Sequence, residues 1–299
     1  VIRWYDDEAL VRDLPRRYRA YALYSRLVGE SNSRRVTGGS FLLRLIKDVS
    51  SLTGGSTIAR VRGIDGLTVV TDFADERVLE VIHEIRGENP EYRAMQSLLS
   101  EGATFVDVGA NFGTFSLLAS RLVGVSGKVI AIEPQAKLAE FIQESIALSN
   151  VTNCAIKPVA CGRMRAERTL FVPADDSGRA GFFSGFSRRK RFASHAVKVA
   201  TLDSLLEAAS SPCVIKIDVE GSEMDVLDGA AQSIERLKPG VIIELNPWSA
   251  AAAGHTPKEI IDRLTSHGYS SFATAEGYPS VVSVAHIELD RQTNLIAWQ

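Results

Sequence analysis

One stretch constrains this chain more than any other: Thr104-Phe-Val-Asp107-Val-Gly109-Ala-Asn111-Phe-Gly113-Thr-Phe, followed by Val129-Ile-Ala-Ile-Glu133-Pro134. A β-rich apolar run ends in Asp107, glycines punctuate the turn, and Phe115 to Leu122 has helical spacing. A second apolar run then closes on an acid. The pattern predicts a β-α-β unit whose turn lets backbone approach a ligand, with Glu133 placed to hold a ribose diol. Glycine at 109 and 113 suits that crossing, because a side chain there would keep the ligand off the backbone amides. On glycine spacing alone, an ordinary βαβ turn competes with this reading. The stretch is neither Gly-x-Gly-x-x-Gly nor a phosphate loop with Lys-Ser/Thr, so it does not call for a pyrophosphate. Asp107 at the strand tip instead favours a cationic or hydroxyl-rich ligand.

Three further motifs follow the first: Ile132-Glu133-Pro134, then Ile215-Lys-Ile-Asp218-Val-Glu220-Gly221-Ser-Glu223, then Val241-Ile-Ile-Glu244-Leu. Together they resemble the FkbM family of S-adenosylmethionine (SAM)-dependent O-methyltransferases, in the family's order, over roughly Phe105 to Tyr269. The resemblance implies an α/β class I methyltransferase fold, a doubly wound and mostly parallel sheet of seven strands whose last strand runs antiparallel. It also implies SAM as methyl donor and a small-molecule hydroxyl acceptor of natural-product (polyketide-type) or sugar character. On that footing Asp107 takes the amino-acid end of SAM, most simply the ammonium, and Gly109 and Gly113 permit close approach. Asn111 either donates to the methionine carboxylate or caps the following helix. Glu133 accepts from the ribose hydroxyls, and the small Ala160 and Cys161 border adenine.

The candidates for chemistry gather at two later strand ends. Strand alternation puts Lys216 and Asp218 on one face, with Asp218 at the tip and Glu220 and Glu223 entering the next turn. Acids this dense at an apolar strand's exit are costly unless paired or set to bind a cation. Asp218, Glu220 and Glu244 are therefore the catalytic candidates, with helix capping and salt bridging to Arg163 or Lys216 as the competing reading. Asp218, Glu244 and Asn246 also offer hard oxygen ligands of the kind Mg²⁺ accepts. They resemble the two strand ends that hold Mg²⁺ in catechol O-methyltransferase, although Glu replaces the shorter Asp there. Without a metal, Asp218 or Glu220 is the expected general base. Small-molecule N-methylation and a non-catalytic SAM-binding regulator remain the alternatives.

Residues 1–100 lie largely outside these motifs and read as an accessory region, either a cap over the sheet or a surface for homodimer pairing, before a methyltransferase domain at 101–299. Asp6 to Val28 and Phe41 to Val49 read as helices, Ile58 to Val70 as a hairpin turning at Asp65-Gly66, and Glu76–Ile85 and Pro90–Ser100 as helices. Ala155–Ala160 reads as the third core strand and Arg168–Val172 as a further one beside Val197–Ala200. The segment Gly178–Arg191 between them is a glycine-rich loop. It holds Phe182, Phe183 and Phe186, expected as an apolar lid over the acceptor, and the basic run Arg188–Arg191, read as solvated. Thr256-Pro-Lys-Glu is a helix start with a capping box. A net charge of −2 gives no global sign of a nucleic-acid or anionic-membrane partner. Cys154, Cys161 and Cys213 have no metal-like spacing and read as reduced core thiols. No signal peptide or bilayer-length apolar run is evident, so a cytoplasmic location is expected.

Overall fold

A computed structural model describes residues 57–183 and 191–299. The helices expected at Asp6–Val28 and Phe41–Val49 lie outside the described residues. The described part opens with the antiparallel hairpin β1 (Ile58–Arg62) and β2 (Thr68–Asp72), turning at Asp65 and Gly66 as the Asp-Gly pair predicts. Helices α1 (Val78–Glu84) and α2 (Pro90–Leu98) follow. Asn89 caps α2 by accepting from the Tyr92 amide at 2.7 Å, with Pro90 in the first turn.

The nucleotide-fold half then runs β3 (Thr104–Val108), α3 (Thr114–Leu122), β4 (Lys128–Ile132), α4 (Ala136–Leu148) and β5 (Cys154–Lys157). After an inserted segment come β9 (Cys213–Ile217), α6 (Glu223–Asp228), α7 (Ala231–Leu237), β10 (Gly240–Leu245), α8 (Pro247–Ala252), α9 (Pro257–Ser266), β11 (Ser271–Thr274) and β12 (Thr293–Trp298). The main sheet has seven strands in the order β11-β12-β10-β9-β3-β4-β5. β10, β9, β3, β4 and β5 run parallel, and β12 lies antiparallel between β11 and β10. This is the class I methyltransferase arrangement. Every residue of β3 and β9 is buried, as central strands covered by helices on both faces must be.

The inserted segment is a small sheet of β6 (Ala160–Cys161), β8 (Phe192–Ala200) and β7 (Ala166–Pro173), followed by the short helix α5 (Leu202–Leu205). The third core strand therefore stops at Lys157. Pro158 intervenes, and Ala160 pairs with Val199 in the other sheet. Proline lacks the N–H that a continuing ladder needs.

The hairpin and α1 do not stand apart from the methyltransferase fold. One apolar cluster holds Val61, Leu67, Val69 and Val81 together with Phe112, Leu117 and Ile142. Two serines of α4 complete the contact. Ser145 Oγ accepts from the Val70 amide at 2.8 Å and Ser149 Oγ from the Thr68 amide at 2.9 Å. Among the described residues no helix is long and apolar enough to cross a membrane.

Candidate active site

A cavity opens at the carboxyl ends of β3, β4 and β9, where open α/β sheets bind ligands. The turn after β3 forms one wall. Gly109 has φ of 85° and Gly113 φ of 78°, and Asn111 is also left-handed at 52°. A Cβ on Gly109 would sit 1.9 Å from the Asp218 carbonyl oxygen. Glycine there keeps β3 and the end of β9 in contact.

Glu133 is buried at the end of β4. Its Oε2 accepts from the Asn111 amide at 2.9 Å and its Oε1 from the Gln135 amide at 2.8 Å. Burial pushes its carboxyl up to about 7, against the pull of those two amides. Asn111 does not cap α3; Gly113 holds that position without a side-chain bond. The Asn111 amide nitrogen instead donates to Ser177 Oγ at 3.1 Å, and its Oδ1 is buried without a partner. Ala160 and Cys161 line the cavity beside Leu170 and Phe182.

Asp107 lies elsewhere. It is fully buried and absent from the cavity wall, with Oδ2 accepting from Ser116 Oγ at 2.6 Å. Burial raises its pKa, while the neighbouring Lys216 charge lowers it. β3 and β9 pair Asp107 with Lys216 in register, which puts the two side chains on one face. Lys216 Nζ reaches Asp218 Oδ2 at 3.0 Å and sits 4.8 Å from the centre of the Phe115 ring.

Asp218 and Glu220 line the same cavity as the turn after β3. Glu244 stands behind them on β10, buried, with Gln292 donating to Oε1 and Oε2 unpartnered. Burial raises Glu220 strongly, and the charges of Glu244, Asp218 and Glu223 add to that; Arg179 opposes it. Glu244 is pushed up to about 8 by burial and then by Asp218 and Glu223. Glu223 closes the turn instead, accepting from the amides of Gly221 at 3.1 Å and Val219 at 3.3 Å. Arg163 pairs with Asp225 and Asp228, not with the strand-tip acids.

The three residues expected to hold Mg²⁺ are each engaged by other partners. Asn246 Oδ1 caps α8, accepting from Trp248 and Ser249 at 3.1 and 3.4 Å, and its amide nitrogen faces Glu220 at 3.4 Å. Asp218 holds Lys216 and Glu244 holds Gln292. Among the described residues no group of three His, Cys, Asp or Glu side chains could hold a metal ion. The Asn-Pro pair that looks like a ligand from sequence is a helix start.

Phe182 sits in the cavity wall with the Arg168 guanidinium 4.0 Å from its ring centre, and Phe183 lies 5.7 Å from the same group. Phe186, Arg188, Arg189 and Lys190 lie outside the described residues. Sequence reasoning missed Arg77, Glu84 and Ser177, which line the cavity from outside the motifs. It also missed Gln292. The helix bearing Glu84 is legible, but no local signal tells which face of it meets the sheet.

Residues 107–271, more than half of the chain, match the family described as "Methyltransferase FkbM domain". The hexuronic acid methyltransferase AglP of Haloferax volcanii is 26% identical over 198 residues, 64% of this chain and 75% of that protein. Among solved structures, the methyltransferase FkbM from Methylobacillus flagellatus KT has a TM-score of 0.42 at 18% identity, covering 77% of this chain. This chain spans 56% of that protein's length. A SAM-dependent methyltransferase from Aquifex aeolicus gives a TM-score of 0.41 at 15% identity, covering 75% of this chain and 94% of that one.

Proposed function

The chain belongs to the FkbM methyltransferase family, and from that premise we propose that it transfers the methyl group of SAM to a hydroxyl of a small molecule, with a sugar as the leading acceptor class. One observation carries the reading. The turn after β3 with Glu133, and the carboxylates Asp218 and Glu220, face a single cavity. Donor and acceptor can therefore meet there. The residues present fit SAM: a buried acid at the end of β4, an unpartnered Asn111 Oδ1, and an apolar corner of Ala160, Leu170 and Phe182.

When bound, SAM supplies a methyl on a sulfonium; the C–O bond forms as the S–C bond breaks, and the electron pair stays on sulfur. The chain's part is to aim the acceptor oxygen and take its proton. Glu220 lines the cavity and takes the hydroxyl proton. Lys216 donates to Asp218 beside it, and burial together with the neighbouring Glu244, which Gln292 holds, raises the basicity of Glu220. Sugar acceptors are favoured by the likeness to a hexuronic acid methyltransferase. N-methylation of a small amine is the second reading, favoured by the excess of acids at the tips of β9 and β10.

Mass spectrometry of reactions with SAM across hexoses, uronic acids, polyketide-type alcohols and amines tests this. Methylated sugar with stoichiometric S-adenosylhomocysteine is the expected product. Tight SAM binding with no turnover on any acceptor would instead make the chain a SAM-binding regulator.

A further inference from the structure

Two cavity-lining charges come from outside the stretch that matches the family. Arg77 stands immediately before α1 and Glu84 ends it, two turns apart on one face. Arg77 Nη2 donates to Glu84 Oε1 at 2.6 Å. That leaves Glu84 Oε2, which is buried and has no hydrogen-bond partner, on a residue only 8% exposed. A carboxylate oxygen at that depth is costly unless a donor reaches it. Arg77 Nη1 lies 2.9 Å from Glu80 Oε2, close enough for ion pairing but without hydrogen-bond alignment. Its donors are therefore not exhausted.

The pair is held firmly in place. The Asp75 carboxylate accepts from the Arg77 amide at 3.0 Å and from the Ser177 amide at 3.1 Å. A Cβ on Gly178 would come within 2.7 Å of Arg77 Cδ. Asp107, also near Glu84, is behind the wall and engaged by Ser116. The other cation in the wall, Lys216, is committed to Asp218.

We propose that the Arg77–Glu84 pair reads the amino-acid end of SAM, with Glu84 Oε2 accepting from the α-ammonium and Arg77 donating to the α-carboxylate. A zwitterion on one carbon meets a fixed ion pair of opposite order, and the unpartnered oxygen gains its donor. Asp107 then acts as a buried counter-charge to Lys216 and does not touch the ligand. The proposal rests on the reading of the chain as a SAM-dependent enzyme and adds two binding residues to it.

Calorimetric titration with SAM, S-adenosylhomocysteine and methylthioadenosine tests it, because the last ligand keeps adenine, ribose and sulfur but lacks the amino-acid end. Glu84→Gln and Arg77→Met are each expected to weaken the first two ligands about ten- to a hundredfold. Methylthioadenosine should bind both variants as it binds the wild type. Arg77→Lys, which keeps the charge and loses the fork, should fall between. Unchanged SAM affinity in Glu84→Gln overturns the proposal, as does an equal loss for methylthioadenosine, which would mean a damaged cavity. Should Arg77→Met fail to fold, Glu84→Gln decides alone, since it preserves shape and the contact to Arg77. A wild type that binds none of the three ligands overturns the SAM reading itself, which is a different result from a variant-specific loss.

Discussion

Asn111 donates its backbone N–H to Glu133 Oε2 at 2.9 Å, so the acid that ends β4 also shapes the turn that follows β3. One carboxylate thereby ties two strand ends together and still offers lone pairs to the cavity. Replacing it should affect both the backbone and the ligand.

Glu133→Ala is expected to weaken SAM binding by about 1–3 kcal/mol, the scale of hydrogen bonds to a charged group. Glu133→Gln should lose less, because an amide oxygen can still accept from one backbone N–H. Isothermal titration of both variants measures this. Wild-type affinity in a folded Glu133→Ala protein would remove Glu133 from the ligand site.

Gly109→Ala should destabilise the fold by roughly 3 kcal/mol or more, since it combines a positive φ with a collision against backbone. The Cβ would lie 1.9 Å from the Asp218 oxygen, and neither strand end can give way. Urea denaturation checks the midpoint. A shift under about 1 kcal/mol would mean that the turn adjusts more freely than close packing allows.

Glu220→Gln should lower kcat by about a hundred- to ten-thousandfold with SAM affinity retained, as expected of a lost general base. In the wild type, burial and the neighbouring acids raise Glu220, and Glu244 reaches about 8. The rate should therefore rise with pH, with its midpoint displaced above the ordinary carboxylate range. A flat pH profile, or a fully active Glu220→Gln, would point to Asp218 instead.

Stability carries a related signature, with opposite sign. Glu244 titrates at about 8 in the fold against an ordinary 4.5. Between those values the native state holds a proton that the unfolded chain has released. The contribution of Glu244 is then present below about pH 4.5 and lost as pH rises through 8. Glu244→Gln should consequently gain on the wild type as the buffer moves from acid to about pH 8.5, by a few kcal/mol. Paired denaturation curves at both ends of that range measure the difference. A constant difference would mean that folding leaves the Glu244 carboxyl unperturbed.

Turnover should survive EDTA treatment and dialysis undiminished, and added Mg²⁺, Mn²⁺ or Ca²⁺ should not raise it. Asn246 caps α8 and Asp218 pairs with Lys216, so neither is free for a metal. Activity that vanished on chelation and returned with Mg²⁺ would require these contacts to break.

What the sequence made legible was local. Apolar-rich runs at 104–108 and 213–217 announced core strands, and the capping box at Thr256 and Glu259 is present as spelled. Glu133 and Glu220 could be placed because strand tips in this class of sheet point into one crevice. Asp107 was misplaced relative to the cavity because alternation fixes a side chain's face but not its depth beneath a turn. Asn246 was ambiguous for another reason: a cap and a ligand use the same oxygen. Arg77, Glu84 and Gln292 left no trace, since each meets its partners through packing between distant segments.

The serines of α4 have one more consequence. Ser145 and Ser149 occupy the amides of Val70 and Thr68, which are the groups a further strand would need in order to join the hairpin on that side. Unclaimed ribbon edges recruit other chains into continuous sheets. Here two hydroxyls close that route with a helix, at no cost in exposed apolar surface. Self-association by strand addition is barred along this border, and any pairing of two copies must use another face.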